Sequence, residues 1–295
     1  MKLTSTYDRY LNRTGWLFIL PAMVLYAVFL LYPILSSVIL VTYKVKGFNS
    51  TFIGAGNFIR MLKDKNFLSA LGNNFIFMLI QIPIMVMLAL VLAVILNRGI
   101  KRFHGLFRTF YFLPCVTSLV AYSVLFRIFL QTNGLLNSFL VSTHILSNPI
   151  AWLNDPFWAK VTIIFALTWR WTGYNMVFFL VGLQNIDTSI YEAAQIDGAS
   201  SLRQLFQITL PLLVPVLLFS IVTSTSGTMQ LFDEPNILTN QGGPANATMT
   251  ASLYVYRQAF VINSDFGYAT ALSYVIVLVT GIFAFVQIKL LGEKK

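Results

Sequence analysis

The chain has 295 residues, of which 57% are hydrophobic and 10% charged, and its mean hydropathy is +0.74. These values exclude an ordinary soluble domain, in which charged residues are more than twice as frequent. The net charge of +10 would suggest nucleic acid as the partner of a soluble protein. Membrane proteins, however, place Lys and Arg in loops that face the cytoplasm and anionic lipid. The single cysteine, Cys115, excludes an intrachain disulfide.

The first apolar run begins after Lys2, Arg9 and Arg13, as the apolar run of a signal peptide would. Residues 14–43 carry no charge, however, and this stretch is longer than the roughly 7–15 apolar residues of a signal peptide. No small-residue cleavage site follows it. We therefore predict a membrane anchor.

Charge-free windows recur along the chain, and a helix that crosses the hydrocarbon needs about 20 apolar residues. Two of the windows, Thr109–Phe126 and Trp171–Ile186, are short. Their apolar flanks extend them to one helix over Leu106–Leu130 and another over Phe157–Gln184. Polar residues, Gly and Pro in Ile128–Asn154 and Asn236–Tyr256 predict outside loops. The pattern predicts an all-α integral membrane protein with six transmembrane helices. The windows are Thr14–Tyr43, Asn66–Asn97, Thr109–Phe126, Trp171–Ile186, Gln204–Phe232 and Phe266–Ile288.

Charge counting favours a cytoplasmic N-terminus only weakly, because the first outside loop alone is strongly basic. On this topology we expect a tail, first helix and outside loop over residues 1–65 and a permease core over residues 66–290. A cytoplasmic elbow is expected within that core at residues 187–211. Residues 291–295 would form a cytoplasmic tail.

The segment 185–211, between the fourth and fifth windows, has the composition of two short helices joined by a turn. Ser189 or Thr188 can cap the first helix, with Glu192 in its first turn. Gly198 allows a left-handed turn. These residues alone fit a helix–turn–helix elbow and a solvated loop equally well. A second cap is available from Ser200 or Ser201, ahead of Pro211.

The same segment contains a Glu-Ala-Ala triplet, three residues, a glycine, nine residues, and Ile-x-Leu-Pro. This spacing resembles the EAA signature of bacterial ABC importer permeases. The resemblance implies a coupling helix that sits in a groove of a cytoplasmic ATPase, and it places the loop in the cytoplasm. The residues expected to couple to the ATPase are Glu192, Ala193, Ala194, Asp197, Gly198, Ile208, Leu210 and Pro211.

Other segments, such as Leu238–Pro244, resemble the maltose-type sugar permeases of that family. The resemblance implies the type I importer fold, a second homologous permease subunit, a cytoplasmic ABC ATPase dimer that binds ATP and Mg, and an extracytoplasmic sugar-binding protein. It also implies a multi-pass protein of the bacterial cytoplasmic membrane with both termini inside. The chain lacks a Gly-x-x-x-x-Gly-Lys-Ser/Thr phosphate loop, so we expect no enzyme activity and no cofactor on this chain.

Aromatic and polar residues interrupt the fourth window at 169–175, around Arg170, and could line a sugar pathway. The tryptophans could instead anchor at the membrane interface, and Arg170 could pair with a carboxylate of the partner subunit. In the maltose-type permeases the sugar site surrounds a Trp-x-Gly element, which Trp171–Gly173 matches, and Ser224 falls at a matching serine. Small polar residues at 223–228 serve helix packing equally well. The candidate pathway residues are Trp169, Arg170, Trp171, Gly173, Tyr174, Asn175, Ser224 and Thr228.

Three open alternatives concern the cargo and the energy source. A guanidinium pairs well with carboxylates, so Arg170 raises the hypothesis of an acidic sugar. A secondary transporter driven by an ion gradient would need acids within its spans, whereas the adjacent Asp233 and Glu234 are predicted in an exposed, strand-like segment outside them. An ABC permease for another solute, such as a glycerophosphate, is the third. His104 and His144 lie in separate predicted loops and suggest no metal site.

Overall fold

The computed structural model describes residues 6–46, 49–99, 104–262 and 264–292. Within them the chain is almost entirely helical, which confirms the predicted all-α class. The exception is a hairpin in which β1, Tyr43–Lys46, pairs antiparallel with β2, Asn49–Phe52. Wide π-helical turns cover Ala27–Leu31, Leu205–Thr209 and Arg257–Ile262. The helices are α1 Thr6–Tyr26, α2 Tyr32–Leu40, α3 Gly56–Leu62, α4 Lys65–Gly99, α5 His104–Val116, α6 Leu119–Leu130, α7 Leu135–Ser142, α8 Pro156–Gln184, α9 Thr188–Ile196, α10 Ser201–Gln204, α11 Leu210–Leu212, α12 Val214–Met229, α13 Asp233–Ile237, α14 Ala251–Tyr256 and α15 Phe266–Gly292.

Five helical stretches among the described residues are long and apolar enough to cross a membrane. Each of them overlaps a predicted window, namely the first, second, third, fifth and sixth, although the overlap with the third covers only residues 119–126. The predicted fourth window lies in α8, which is long enough to span but carries Arg170 and Asn175 in its middle. The count of six spans therefore stays a prediction. The five stretches are Arg13–Leu40, Lys65–Asn97, Leu119–Ser142, Val214–Ile237 and Phe266–Gly292.

The prediction of one helix over Leu106–Leu130 is wrong, because the chain leaves the helix between α5 and α6. Ser118 adopts an extended conformation with a ψ of 128°. The Thr117 hydroxyl donates to the Leu113 carbonyl at 2.8 Å. Thr and Ser side chains that bond to nearby backbone compete with helix continuation. Two helices therefore replace the one predicted.

The segment Ile128–Asn154, predicted as a loop, also contains a helix, α7. Apolar residues in Leu135–Ser142 outweigh the flanking polar residues. Asn137 in this helix is buried, and its amide group donates to the Ile150 carbonyl at 2.8 Å. This bond ties the rest of the segment to α7. Likewise, α14 occupies the end of Asn236–Tyr256, the other predicted loop.

The chain divides into two compact units, one of residues up to 63 with 257–272, and one of residues 64–256 with those from 273 on. In the first unit, an ion pair joins α3 to the residue before α15. The Arg60 guanidinium lies 2.7 Å from the fully buried Asp265 carboxylate and 3.8 Å from the centre of the Tyr268 ring. The backbone N–H of Val45 also donates to Asp265. The domain boundary predicted at residue 65 stays a prediction.

The second unit is organised by the packing of α4 against α8. Ala89 and Ala93 on α4 leave room for Met176 and Phe179 on α8, and all four are completely buried. Small residues let two helix backbones approach closely in a membrane protein. This packing fixes α8, which carries most of the candidate pathway residues.

Candidate functional site

A cavity of about 390 Å³ lies in the second unit, against the middle of α8 and the C-terminal half of α12. Its volume is within the range of small-molecule binding sites, about 300–1,000 Å³. Its wall combines aromatic rings, hydroxyls, amides and three charged groups. The lining residues are Gln81, Met85, Leu119, Leu167, Arg170, Trp171, Tyr174, Asn175, Thr223, Ser224, Gly227, Thr228, Gln230, Leu231, Phe232, Asp233 and Glu234.

Four of the candidate pathway residues, Arg170, Trp171, Tyr174 and Asn175, are brought to this cavity by α8. Trp171 is one residue from Arg170, three from Tyr174 and four from Asn175, and this spacing keeps the four side chains on one side of the helix. The Trp171 and Tyr174 rings contact edge to face, with centroids 5.6 Å apart. The two rings give the cavity an apolar surface beside its polar groups.

The helix α12 brings two more candidates, Ser224 and Thr228, to the opposite wall. A hydrogen bond just behind the cavity joins the two helices: the Ser220 hydroxyl donates to the Asn175 side-chain oxygen at 2.6 Å. The amide of Asn175 donates in turn to the Trp171 carbonyl at 3.0 Å. Asn175 is therefore largely satisfied by the protein and positions the wall.

Two candidates, Trp169 and Gly173, do not line the cavity. The Trp169 ring packs on Tyr122 and Phe126, with centroids 6.1 and 5.2 Å away. Gly173 lies where α8 meets α5, and a Cβ there would be 1.7 Å from the Tyr111 carbonyl oxygen. Both residues support the helix packing around the cavity.

The cavity contains a charged pair that sequence reasoning missed. The prediction of a strand-like Asp233-Glu234 segment is wrong, because both residues begin the helix α13. Asp233 is exposed as predicted, whereas Glu234 is buried. The Glu234 carboxylate lies 3.5 Å from the Arg170 guanidinium and accepts a hydrogen bond from the Tyr122 hydroxyl at 2.8 Å. The carboxylate that pairs with Arg170 is thus supplied within this chain. No local sequence pattern indicates this pair, because the two residues are 64 positions apart in the chain.

The second candidate site is the elbow, which follows α8 and begins with α9. Asp187 caps α9: its carboxylate accepts from the backbone N–H of Ser189 at 3.0 Å. This bond holds the pKa of the Asp187 carboxyl below its usual range. The prediction of Thr188 or Ser189 as the cap is therefore wrong, because the cap is Asp187. Glu192 lies in the second turn of α9, not in the first turn as predicted.

The turn of the elbow is centred on Gly198, whose φ of +78° is left-handed, as predicted. The N–H groups of Ala199 and Gly198 donate to the carbonyls of Ala194 and Gln195 at 2.9 and 3.0 Å. This pattern is the Schellman motif, which needs a left-handed residue and favours glycine. The last alanine of the triplet and the glycine thus form one structural unit.

The return arm of the elbow begins at α10, whose cap is Ser200, one of the two predicted serines. The Tyr191 hydroxyl on α9 lies 2.9 Å from the Thr209 hydroxyl on the return arm. A second cavity, of about 300 Å³, lies between the elbow and the ends of α4 and α8. Most of the expected coupling residues are at least partly exposed, among them Glu192 and Gly198.

The elbow and the larger cavity are separate sites joined by α8. From Arg170 to the end of α8 at Gln184 the helix rises about 21 Å. Among the described residues, no group of three or more His, Cys, Asp or Glu side chains could hold a metal ion. His104 itself lies at the edge of the described residues, and its side chain is outside them.

Comparisons with known proteins identify the family of the chain. The family described as "Binding-protein-dependent transport system inner membrane component" matches residues 52–292. The lactose transport system permease protein LacF of Rhizobium radiobacter is 51% identical over 99% of this chain and 98% of that protein. The arabinooligosaccharides transport system permease protein AraP of Bacillus subtilis (strain 168) is 30% identical, over 95% of this chain and 89% of that protein.

A solved structure has the same fold. A chain in the crystal structure of a bacterial ABC transporter involved in the import of the acidic polysaccharide alginate superposes with a TM-score of 0.83. The match covers 98% of both chains at 22% identity, which is evidence of the fold alone. The predicted class of membrane-embedded ABC importer permease is therefore confirmed. The chain belongs to the inner membrane component family of binding-protein-dependent transport systems.

Proposed function

We propose that this chain is a permease subunit that moves a sugar or oligosaccharide into the cell, by alternating access driven by a separate ATPase. One observation carries the proposal: a single helix, α8, forms the wall of a polar and aromatic cavity and leads directly into the elbow. Sugars suit such a cavity, because aromatic faces pack on their C–H surfaces and polar groups bind their hydroxyls. The family membership and the names of LacF and AraP support the same cargo class.

In this proposal the elbow residues from Glu192 to Pro211 bind the cytoplasmic ATPase dimer, which holds the ATP and Mg. A second homologous permease subunit completes the pathway, and an extracytoplasmic binding protein delivers the sugar. Both termini face the cytoplasm. ATP binding in the partner chains would shift the elbow, and α8 would transmit the shift to Arg170, Trp171 and Tyr174.

A carrier driven by an ion gradient is the second candidate, and the buried pair of Arg170 and Glu234 favours it, since ionisable residues within spans often serve ion coupling. Uptake of labelled lactose by cells that express the whole system separates the two. We expect uptake to stop when the P-loop lysine of the partner ATPase is replaced by alanine, and to continue under a protonophore at maintained ATP. Uptake that survives the ATPase variant but collapses with the protonophore would establish the ion-driven carrier.

A further inference from the structure

The charges around the larger cavity are unequal. Among its lining residues, all of which the structure describes, Arg170 is the one basic side chain, whereas Asp233 and Glu234 are both acidic. One positive and two negative groups leave a formal charge of −1 on this subunit's share of the wall. The cavity thus lacks the surplus of positive charge that binds anionic ligands.

The guanidinium of Arg170 is already paired through one of its nitrogens, whereas its buried Nε has no hydrogen-bond partner among the described residues. Its Nη1 lies 3.5 Å from Glu234 Oε1, and the two side chains are only 11% and 5% exposed. The guanidinium carbon also lies 4.9 Å from the centre of the Tyr122 ring. A substrate carboxylate that drew Arg170 away from Glu234 would leave the Glu234 carboxylate buried without its cation, and one that bound at Nε would bring a second carboxylate beside Glu234. Breaking a buried ion pair in this way is strongly unfavourable.

The position of Glu234 is fixed by a second group. The Tyr122 hydroxyl donates to the same carboxylate oxygen at 2.8 Å, and Tyr122 itself is 1% exposed. Arg170 and Tyr122 therefore hold Glu234 from two sides. Each of these three residues comes from a different helix, α8, α6 and α13, so the pair is part of the framework of the cavity.

The remaining groups suit an uncharged sugar. The hydroxyls of Ser224 and Thr228 can bind sugar hydroxyls, and Trp171 offers an aromatic face. Asp233, which is exposed, can accept hydrogen bonds from sugar hydroxyls. The same carboxylate would repel a uronate, and because Asp233 is exposed, solvent screening keeps this repulsion moderate.

We propose that Glu234 neutralises Arg170 and thereby makes this cavity selective for neutral saccharides over uronate-containing ones. The inference rests on the proposed sugar transport function and specifies its substrate class. It replaces the hypothesis of an acidic sugar, which treated Arg170 as free. It also separates this chain from the alginate importer, whose fold it shares but whose substrate is acidic.

Saturation-transfer NMR on the purified importer complex, without binding protein, tests the selectivity directly. The probes are neutral disaccharides, including lactose and galactobiose, and uronate disaccharides, including digalacturonate. We expect the wild-type complex to bind the neutral disaccharides at least about tenfold more tightly than the uronate disaccharides. A single unfavourable charge contact produces a ratio of this size between the two dissociation constants. Glu234→Gln, which frees the cation of Arg170, should reduce or reverse that ratio.

Asp155→Asn is the matched control, because it makes the same charge change at the cap of α8, about 22 Å along the helix from Arg170. Asparagine also caps helices, so the control should keep the wild-type ratio. Equal or tighter binding of uronates by the wild-type complex would overturn the inference, even if Glu234→Gln fails to assemble. An unchanged ratio in assembled Glu234→Gln would overturn it too. Absence of binding by every saccharide would instead overturn the proposed sugar cargo, and the inference with it.

Discussion

The hydroxyls of Tyr191 and Thr209 lie 2.9 Å apart and join the two arms of the elbow. Tyr191 is on α9, which carries the Glu-Ala-Ala triplet, and Thr209 precedes the Leu-Pro that leads into α12. Thr209 is buried, and its hydroxyl also contacts the Gln204 carbonyl. The contact therefore holds the two arms together, and in the proposed function it would pass a movement of the exposed turn to α8 and α12 together.

Removing this brace should loosen coupling without removing the elbow. Tyr191→Phe keeps the ring and loses the hydrogen bond, which contributes about 1 kcal/mol, equivalent to about a fivefold change in an equilibrium. We expect the number of ATP molecules hydrolysed per sugar transported to rise two- to fivefold in proteoliposomes. Tyr32→Phe, on the exposed surface of α2, should leave the ratio unchanged. An unchanged ratio in Tyr191→Phe would show that the brace has no part in coupling.

The close approach of α5 and α8 depends on Gly173. Gly173→Ala would place a Cβ 1.7 Å from the Tyr111 carbonyl oxygen, so the helices must separate. We expect a loss of about 3 kcal/mol or more of stability, as for severe overpacking, measured as a lower melting temperature in detergent. Gly72→Ala on α4 meets nothing within 4 Å and should be neutral or slightly stabilising. Equal melting temperatures for the two variants would contradict the packing described for α8.

The exposed tip of the elbow should touch the ATPase. Ile196, beside the turn at Gly198, is 87% exposed, so its side chain is accessible to a partner chain that binds the elbow. A photo-crosslinking amino acid at position 196 should form an adduct with the ATPase in the assembled complex. The same amino acid in place of Ile145, which is 64% exposed in the segment predicted to face outside, should form none. An ATPase adduct at 145 and none at 196 would reverse the assigned topology.

The ion pair of Arg60 and Asp265 should stabilise the first unit. Asp265→Asn removes the charge from a side chain that is 0% exposed. Because Arg60 is 41% exposed, solvent screening reduces the effect, and we expect a loss of about 2 kcal/mol. The measurement is thermal unfolding in detergent. The control is Lys63→Ala, an exposed position nearby, which should change stability by less than about 0.5 kcal/mol. An equal loss of stability in both variants would show that the ion pair does not stabilise the first unit.

The sequence was most informative where the chemistry is local. The left-handed Gly198 and the cap at Ser200 follow from residue types within one turn, and both were predicted. The choice of Asp187 over Ser189 as the cap of α9 depends on how the chain leaves α8, which neighbouring residues do not specify. The break at Ser118 does have a local signal, the adjacent Thr117 and Ser118, but the apolar pattern around it outweighs that signal in the prediction.

The cavity was only partly predictable. Trp171, Tyr174 and Asn175 were identified as a local cluster, and helical geometry could have excluded Trp169 and Gly173, since residues two apart from Trp171 point to other sides of the helix. The pairing of Glu234 with Arg170 joins distant parts of the chain, and only the folded structure brings them together. That pairing removes the reason to expect an acidic substrate that Arg170 alone suggests.

ATP-driven uptake of lactose into proteoliposomes tests the central claim most directly, with purified complex, the binding protein on the side opposite the elbow, and no ion gradient. The account predicts uptake when ATP is on the side of the elbow, and none without ATP. Gly198→Asp, which replaces the glycine at a φ of +78°, should still insert into membranes. It should lower both ATPase copurification and uptake by about tenfold, which corresponds to about 1.4 kcal/mol of lost binding. Uptake without ATP, or normal copurification and uptake in Gly198→Asp, would contradict the account.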